Sequence, residues 1–335
     1  PQPGTLYYNK DFRTIEYWDG NFWRQVDNTT RRGRGFSMGG YVAPNNTTKY
    51  IQYFEIASKG NAQDFGELDQ GTNQNSATGN GIRSLCCGGT SNGSDGYDYV
   101  QYFTSASLGN AADFGNLTAA RRMSASTGSS TRGLTAGGYV PSTHDTIDYV
   151  EIMTLGNSID FGNLTVARRL SEGALSSPTR SVFCGGSLSP GTSNKIDYVT
   201  TASKGNATDF GLALFTGNYQ CGCSNTVRGM WAGGSSGSME KRIGSITIAS
   251  TGNAIQFGNL VNNVGWGMGK CSNSTRGLFA SGYNNDPAAY QTKISYITIA
   301  TLGDTTEFGD TTTARSYIAG MASPTRAVFA GGGPG

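Results

Sequence analysis

The sequence predicts an all-β fold: a seven-bladed β-propeller of four-stranded antiparallel blades, with the closing blade shared by the N- and C-termini. Three observations lead there. First, an arginine stands five residues before a Gly-Gly position seven times, as Arg34, Arg83, Arg132, Arg180, Arg228, Arg276 and Arg326. The Gly-Gly positions fall at 39, 88, 137, 185, 233, 281 and 331, with Ser281 replacing the first glycine in one copy, so the period is 48–50 residues throughout. A fixed period of this length marks a repeat architecture whose units must stack to bury their apolar faces. Second, each unit holds four short alternating or apolar runs separated by turn residues, which is strand periodicity. Third, a Gly-Asn or Gly-Asp pair is followed five residues later by phenylalanine in six units: Phe65, Phe114, Phe161, Phe210, Phe257 and Phe308.

In the unit from 121 to 164 the runs are Arg121–Ala125, Arg132–Gly138, Ile147–Thr154 and Asp160–Gly162, numbered strands one to four. Strand three carries Tyr on one face and Val, Ile or Phe on the other, as in Tyr149-Val150 and Tyr198-Val199, which suits a sheet covered on both sides. The Gly-Asn pairs are expected as tight hairpin turns between strands three and four, because both residues tolerate positive φ. The phenylalanines are expected to wedge between sheets. Asp-Phe-Gly here is not the kinase metal-binding motif, since it recurs and lacks the other kinase elements.

The spacing from phenylalanine to the next arginine is 18 or 19, whereas that from Gly-Gly to the turn glycine ranges from 19 to 22. Length variation therefore gathers in the loop between strands two and three, the natural place for recognition in a repeat scaffold. The whole chain, 1–335, reads as one propeller domain. Residues 1–20 would give the outer strands of the closing blade, 21–314 six full blades, and 315–335 its inner strands. Thr5–Asn9 and Thr14–Trp18 are the expected outer strands, and Phe22–Val26 strand one of the first full blade. A second register, with Gly20-Asn21 as the hairpin turn, fits the spacing to Arg34 less well.

Composition narrows function. Lys+Arg 25 against Asp+Glu 23 leaves a net charge of +2, with no electrostatic footprint for nucleic acid or an anionic membrane. No apolar run reaches the roughly 20 residues of a membrane helix, so no membrane insertion is expected. The opening Pro1-Gln2-Pro3-Gly4 has no signal-peptide pattern and suggests a processed product or a piece of a longer chain. The six cysteines occupy repeat positions held elsewhere by small or apolar residues, which predicts buried free thiols. Neither metal nor cofactor is expected: Cys221-Gly-Cys223 lacks a second pair, and Asn92, Ser94, Asp95 and Asp98 form only a loose likeness to a calcium loop. His144 is the sole histidine, so catalytic residues are expected to be none.

The Gly-Gly ending strand two, the Tyr of strand three, the aromatic of strand four and the Ala-Arg opening units at 120–121, 167–168 and 314–315 resemble the kelch repeat. The fuller phrasing, Thr-Arg-Gly-Leu-Phe-Ala and Phe-Gly-Asn-Leu-Thr, resembles kelch-like repeats of tailed-bacteriophage virion proteins, and residues 4–20 are similar to short β-segments of phage tail fibres. Phe stands where the kelch repeat usually has Trp. The resemblance implies a non-enzymatic virion protein of a tail fibre or surface appendage, assembled as an oligomer with other virion proteins. Its partner would be host-surface glycan or protein, bound through the strand two–three loop face. The candidate residues there are Tyr41, Tyr97, Tyr139, His144, Tyr283 and Tyr290. The seven arginines and six phenylalanines are expected to be structural, each arginine hydrogen-bonding carbonyls or a carboxylate of the Asp-Phe-Gly turn. A propeller that only docks other virion proteins, and a glycan-cleaving enzyme, are the alternatives.

Overall fold

A computed structural model describes residues 1–9, 14–25, 33–42, 46–170, 173–285 and 288–333. The described residues are all-β, arranged as a propeller of four-stranded antiparallel blades. Five sheets have four described strands in chain order, for example Ala125–Gly128, Arg132–Ala136, Thr146–Glu151 and Ile159–Asn163. The first blade shows Arg34–Met38, Tyr50–Glu55 and Gln63–Glu67. Strand one starts later than the sequence suggests, at Ala125 rather than Arg121, because the preceding strand runs on through Ala112–Arg121 and the arginine is used elsewhere.

Among the described residues there are six blades, not seven. At the next position round the ring stands only a two-stranded ribbon, Ser316–Ala322 with Ala327–Gly333. Asn273 of the sixth blade donates to the Pro324 carbonyl on one side, and Arg326 donates to the Ile56 carbonyl of the first blade on the other. Among the described residues the expected N-terminal strands form a sheet apart from this ribbon. Leu6–Asn9, the strand expected beside Ala327–Gly333, pairs with Thr14–Trp18 instead, and a hairpin from Thr14–Trp18 to Trp23–Gln25 completes that sheet. Its turn is Gly20-Asn21, with φ +109° at Gly20 and the Asp19 carboxylate accepting from the amides of Asn21 and Phe22. The Trp23 ring lies 5.6 Å from Trp18 and 5.7 Å from Tyr7, which fixes this register over the one preferred from spacing. Val26 and Lys10 lie outside the described residues.

The Gly-Asn pair is not the hairpin turn. The chain reverses directly after strand three, where Thr154 N–H bonds to the Glu151 carbonyl and Ser203 N–H to the Thr200 carbonyl. The pair instead joins blades. Gly156 N–H donates to the Phe114 carbonyl of the preceding blade at 2.9 Å, and Asn157 Oδ1 accepts from Asn116 N–H at 3.0 Å. The same double bond links Gly205-Asn206 to Phe161 and Asn163, and Gly252-Asn253 to Phe210 and Leu212. The glycine after each phenylalanine permits this approach: a Cβ on Gly115 would stand 2.5 Å from Gly156 backbone atoms.

The core is divided by blade interfaces. Phe161, for instance, packs with Leu134 and Ile147 of its own blade and with Phe183 and Val199 of the next. Phe65, Phe114, Phe161, Phe210 and Phe257 are 2–3% exposed, whereas Phe308 is 59% exposed because, among the described residues, the ribbon after it has no third strand to cover the ring.

All six cysteines are buried and free. Burial pushes the Cys87 thiol from an ordinary 9.0 up to about 11, and Cys223 and Cys271 up to about 12. Cys86 and Cys184 are raised further by the same cause. Native protein at pH 8 should therefore resist a thiol-reactive dye, and urea should release all six thiols to it; rapid native labelling would contradict this burial. Since the folded state favours the neutral thiol, this contribution to stability is fully present below pH 9.0 and is lost as pH rises through the folded values.

Candidate functional site

The chain alternates rims. Strand one–two and three–four turns lie on one side, strand two–three loops and four–one connections on the other. On the second rim the two kinds of segment are tied by paired bridges: Asn73 with Thr90, Arg122 with Tyr139, Arg169 with Ser187, Asn218 with Ser235, and Trp266 with Tyr283. Each pair brings one connection residue and one loop residue side by side at the same repeat position.

The sequence-predicted loop residues separate into several places. Tyr283 and Tyr290 face each other across the hairpin Tyr283–Asn285 with Ala288–Tyr290, ring centres 5.0 Å apart. Trp266 stacks on Tyr283 at 5.1 Å with 15° between planes, so three aromatic rings form one platform. Trp266 was not legible as a site residue from the sequence; its signal would have been its repeat position, shared with Arg122 and Arg169 directly before strand one. Beside the platform a cavity of about 330 Å³ lies between the fourth and fifth blades, lined by Thr192, Asn218, Tyr219, Ser235, Ser236 and Trp266. The Asn218 Oδ1 is buried and, among the described residues, has no hydrogen-bond partner.

Tyr139 and His144 share one loop of the third blade. His144 Nε2 lies 2.8 Å from the Val140 carbonyl, and Tyr139 meets the guanidiniums of Arg122 and Arg169. Tyr97 packs on Tyr99 at 5.4 Å in the second blade, and Tyr41 is 57% exposed in the first. These tyrosines stand on separate blades and do not converge. In the likeness to a calcium loop, Asn92 Oδ1 accepts from the amides of Ser94 and Asp95, which is ordinary turn chemistry. A second cavity of about 360 Å³ opens at the ring centre among strands one, lined by Thr78, Ser126, Ser176, Ser224, Lys270 and Ser272.

The repeated arginines lie away from this rim. Arg83 sits 4.6 Å over Tyr102 and donates to the Ile152 carbonyl of the next blade. Arg132, Arg180 and Arg228 likewise reach Ala202, Ile248 and Ile299, and Arg34 reaches Ser105. The acceptors follow strand three of the neighbour rather than lying in the Asp-Phe-Gly segment. Arg276 rests 4.5 Å over Tyr296 and, among the described residues, donates to no such carbonyl, since the ribbon after it has no third strand.

A different arginine pair is buried outright. Arg121 and Arg168 are 0% exposed and bind Asp148 and Asp197 at 2.7 and 2.8 Å. Burial pushes the Arg121 guanidinium below its usual value, and Asp148 opposes that shift. Thr118 and Thr165 fill the remaining carboxylate lone pairs through N–H and O–H. The sequence carried a signal for this: Ala-Arg before strand one and Asp-Tyr in strand three occur together in these two units.

No protein-family model and no curated protein matches the chain, so its functional reading rests on its own residues.

Proposed function

We propose that the chain is a non-enzymatic adhesion module of a tailed-phage virion, on a tail fibre or similar appendage, that binds host-surface glycan through the strand two–three loop rim. The observation that carries this reading is the Trp266–Tyr283–Tyr290 platform beside a cavity whose lining includes Thr192, Asn218, Ser235 and Ser236. Flat aromatic faces take the apolar face of a sugar ring, and Ser, Thr and Asn groups take its hydroxyls. The kelch-like phrasing supports the virion assignment. A propeller that docks other virion proteins is the second reading, favoured by the bare Phe308 at the outer edge of the sixth blade.

A glycan array probed with the full chain tests the choice. Binding to a defined set of glycans is expected, weakened at least about tenfold by Trp266→Ala or Tyr283→Ala and without release of reducing sugar. An array without any bound glycan, with capture of purified virion proteins instead, would favour docking.

A further inference from the structure

We propose that Arg122, Tyr139 and Arg169 form a subsite for an anionic saccharide, a sugar carrying a carboxylate or phosphate. The proposal rests on the glycan reading above and names the ligand class at a second place on the same rim.

Two Arg-Arg dipeptides occupy one repeat register, Arg121-Arg122 and Arg168-Arg169. In each, the first arginine is buried against an aspartate. The second turns to the rim, and the two meet at one residue. The Arg169 guanidinium carbon lies 4.0 Å from the centre of the Tyr139 ring, and that of Arg122 lies 5.3 Å from it. Backbone bonds fix the arrangement: Arg122 and Tyr139 exchange N–H···O bonds of 3.2 and 2.9 Å, as do Arg169 and Ser187 at 2.9 and 3.1 Å.

Among the described residues the charges lack an answering anion. Arg122 Nη1 donates to Gln74 Oε1, a neutral acceptor, at 2.5 Å. Among the described residues the Arg169 guanidinium makes no hydrogen bond, and neither arginine forms an ion pair. The Nε atoms of both are buried without partners. Two cations held at one ring repel, and the ring quadrupole only partly offsets this. A planar or tetrahedral oxyanion placed against them would satisfy both, because guanidinium presents forked donors that fit carboxylate and phosphate. Gln74, bonded to Arg122, and Ser187, bridged to Arg169, are the polar neighbours that favour a sugar as the carrier of that anion.

The test uses the full chain and three probes: methyl β-glucuronide, glucose 6-phosphate and methyl β-glucoside, compared by ligand-observed NMR. At least one acid should bind roughly tenfold or more tightly than the glucoside. Rising salt should reduce that difference. The arm that shows it separates a uronic acid from a phosphorylated sugar. Arg122→Gln and Arg169→Gln should each bring the acids to the level of the glucoside without changing the melting temperature. Glu172, the nearest carboxylate to Arg169 in sequence, lies outside the described residues, and Glu172→Gln should bind the acids as well or better. Equal binding of acids and glucoside by the parent protein would overturn the proposal, with no variant needed. Acid preference with an empty glycan array would leave this subsite standing and sink the adhesion reading. Neutral glycans bound at Trp266 without acid preference would do the reverse.

Discussion

Asp197→Asn is expected to destabilise the protein by about 3–5 kcal/mol, the cost of leaving a buried charge without its counter-ion. Arg168 is fully buried, and its Nη1 bonds the Asp197 carboxylate at 2.8 Å; the Nε already lacks a partner. Asparagine keeps the shape but removes the charge that balances the guanidinium. Thr165 also loses its strongest acceptor, now at 2.6 Å from Asp197 Oδ1. Asp148→Asn should act likewise through Arg121. The urea midpoint measures both, and a change under about 1 kcal/mol would show that these pairs carry little stability. Replacing both partners, Arg168→Met with Asp197→Leu, should recover much of the loss, because two apolar groups have no charge to desolvate.

The second large effect is a contrast. Phe161→Ala should cost about 3–5 kcal/mol, since its ring fills an interface between two blades and truncation leaves a cavity. Phe308→Ala, at the same repeat position, should cost less than about 0.5 kcal/mol. The difference follows from exposure alone: Phe161 is 2% exposed and Phe308 is 59%. Equal losses in chemical denaturation would mean that something covers Phe308 in solution and that the ring's outer layer is continuous there.

These contrasts also show what the residues disclosed before any coordinates. Blade membership was legible because Arg, Gly-Gly and Phe recur at a period set by the repeat itself. The closing position was not, because it turns on whether Leu6–Asn9 and Thr14–Trp18 join the C-terminal ribbon or form a separate sheet with Trp23–Gln25. That depends on Trp23 packing against Tyr7 and Trp18, a competition among long-range pairings that spacing cannot rank. The Gly-Asn pair looked like a turn because its φ preferences suit one; its bond to the preceding blade depends on the stacking of units. The tyrosines of the loop rim were visible singly. Their grouping was not, since Trp266 and Arg169 reach them from connections in other units.

The bonds between Gly-Asn and Phe-Gly use main-chain atoms and one short amide, all on the rim opposite the aromatic platform. These fastenings and the aromatic platform thus draw on separate residues. New side chains in the strand two–three loops leave the Gly-Asn bonds between blades intact, so binding preference can diversify while this part of the wheel stays as it is.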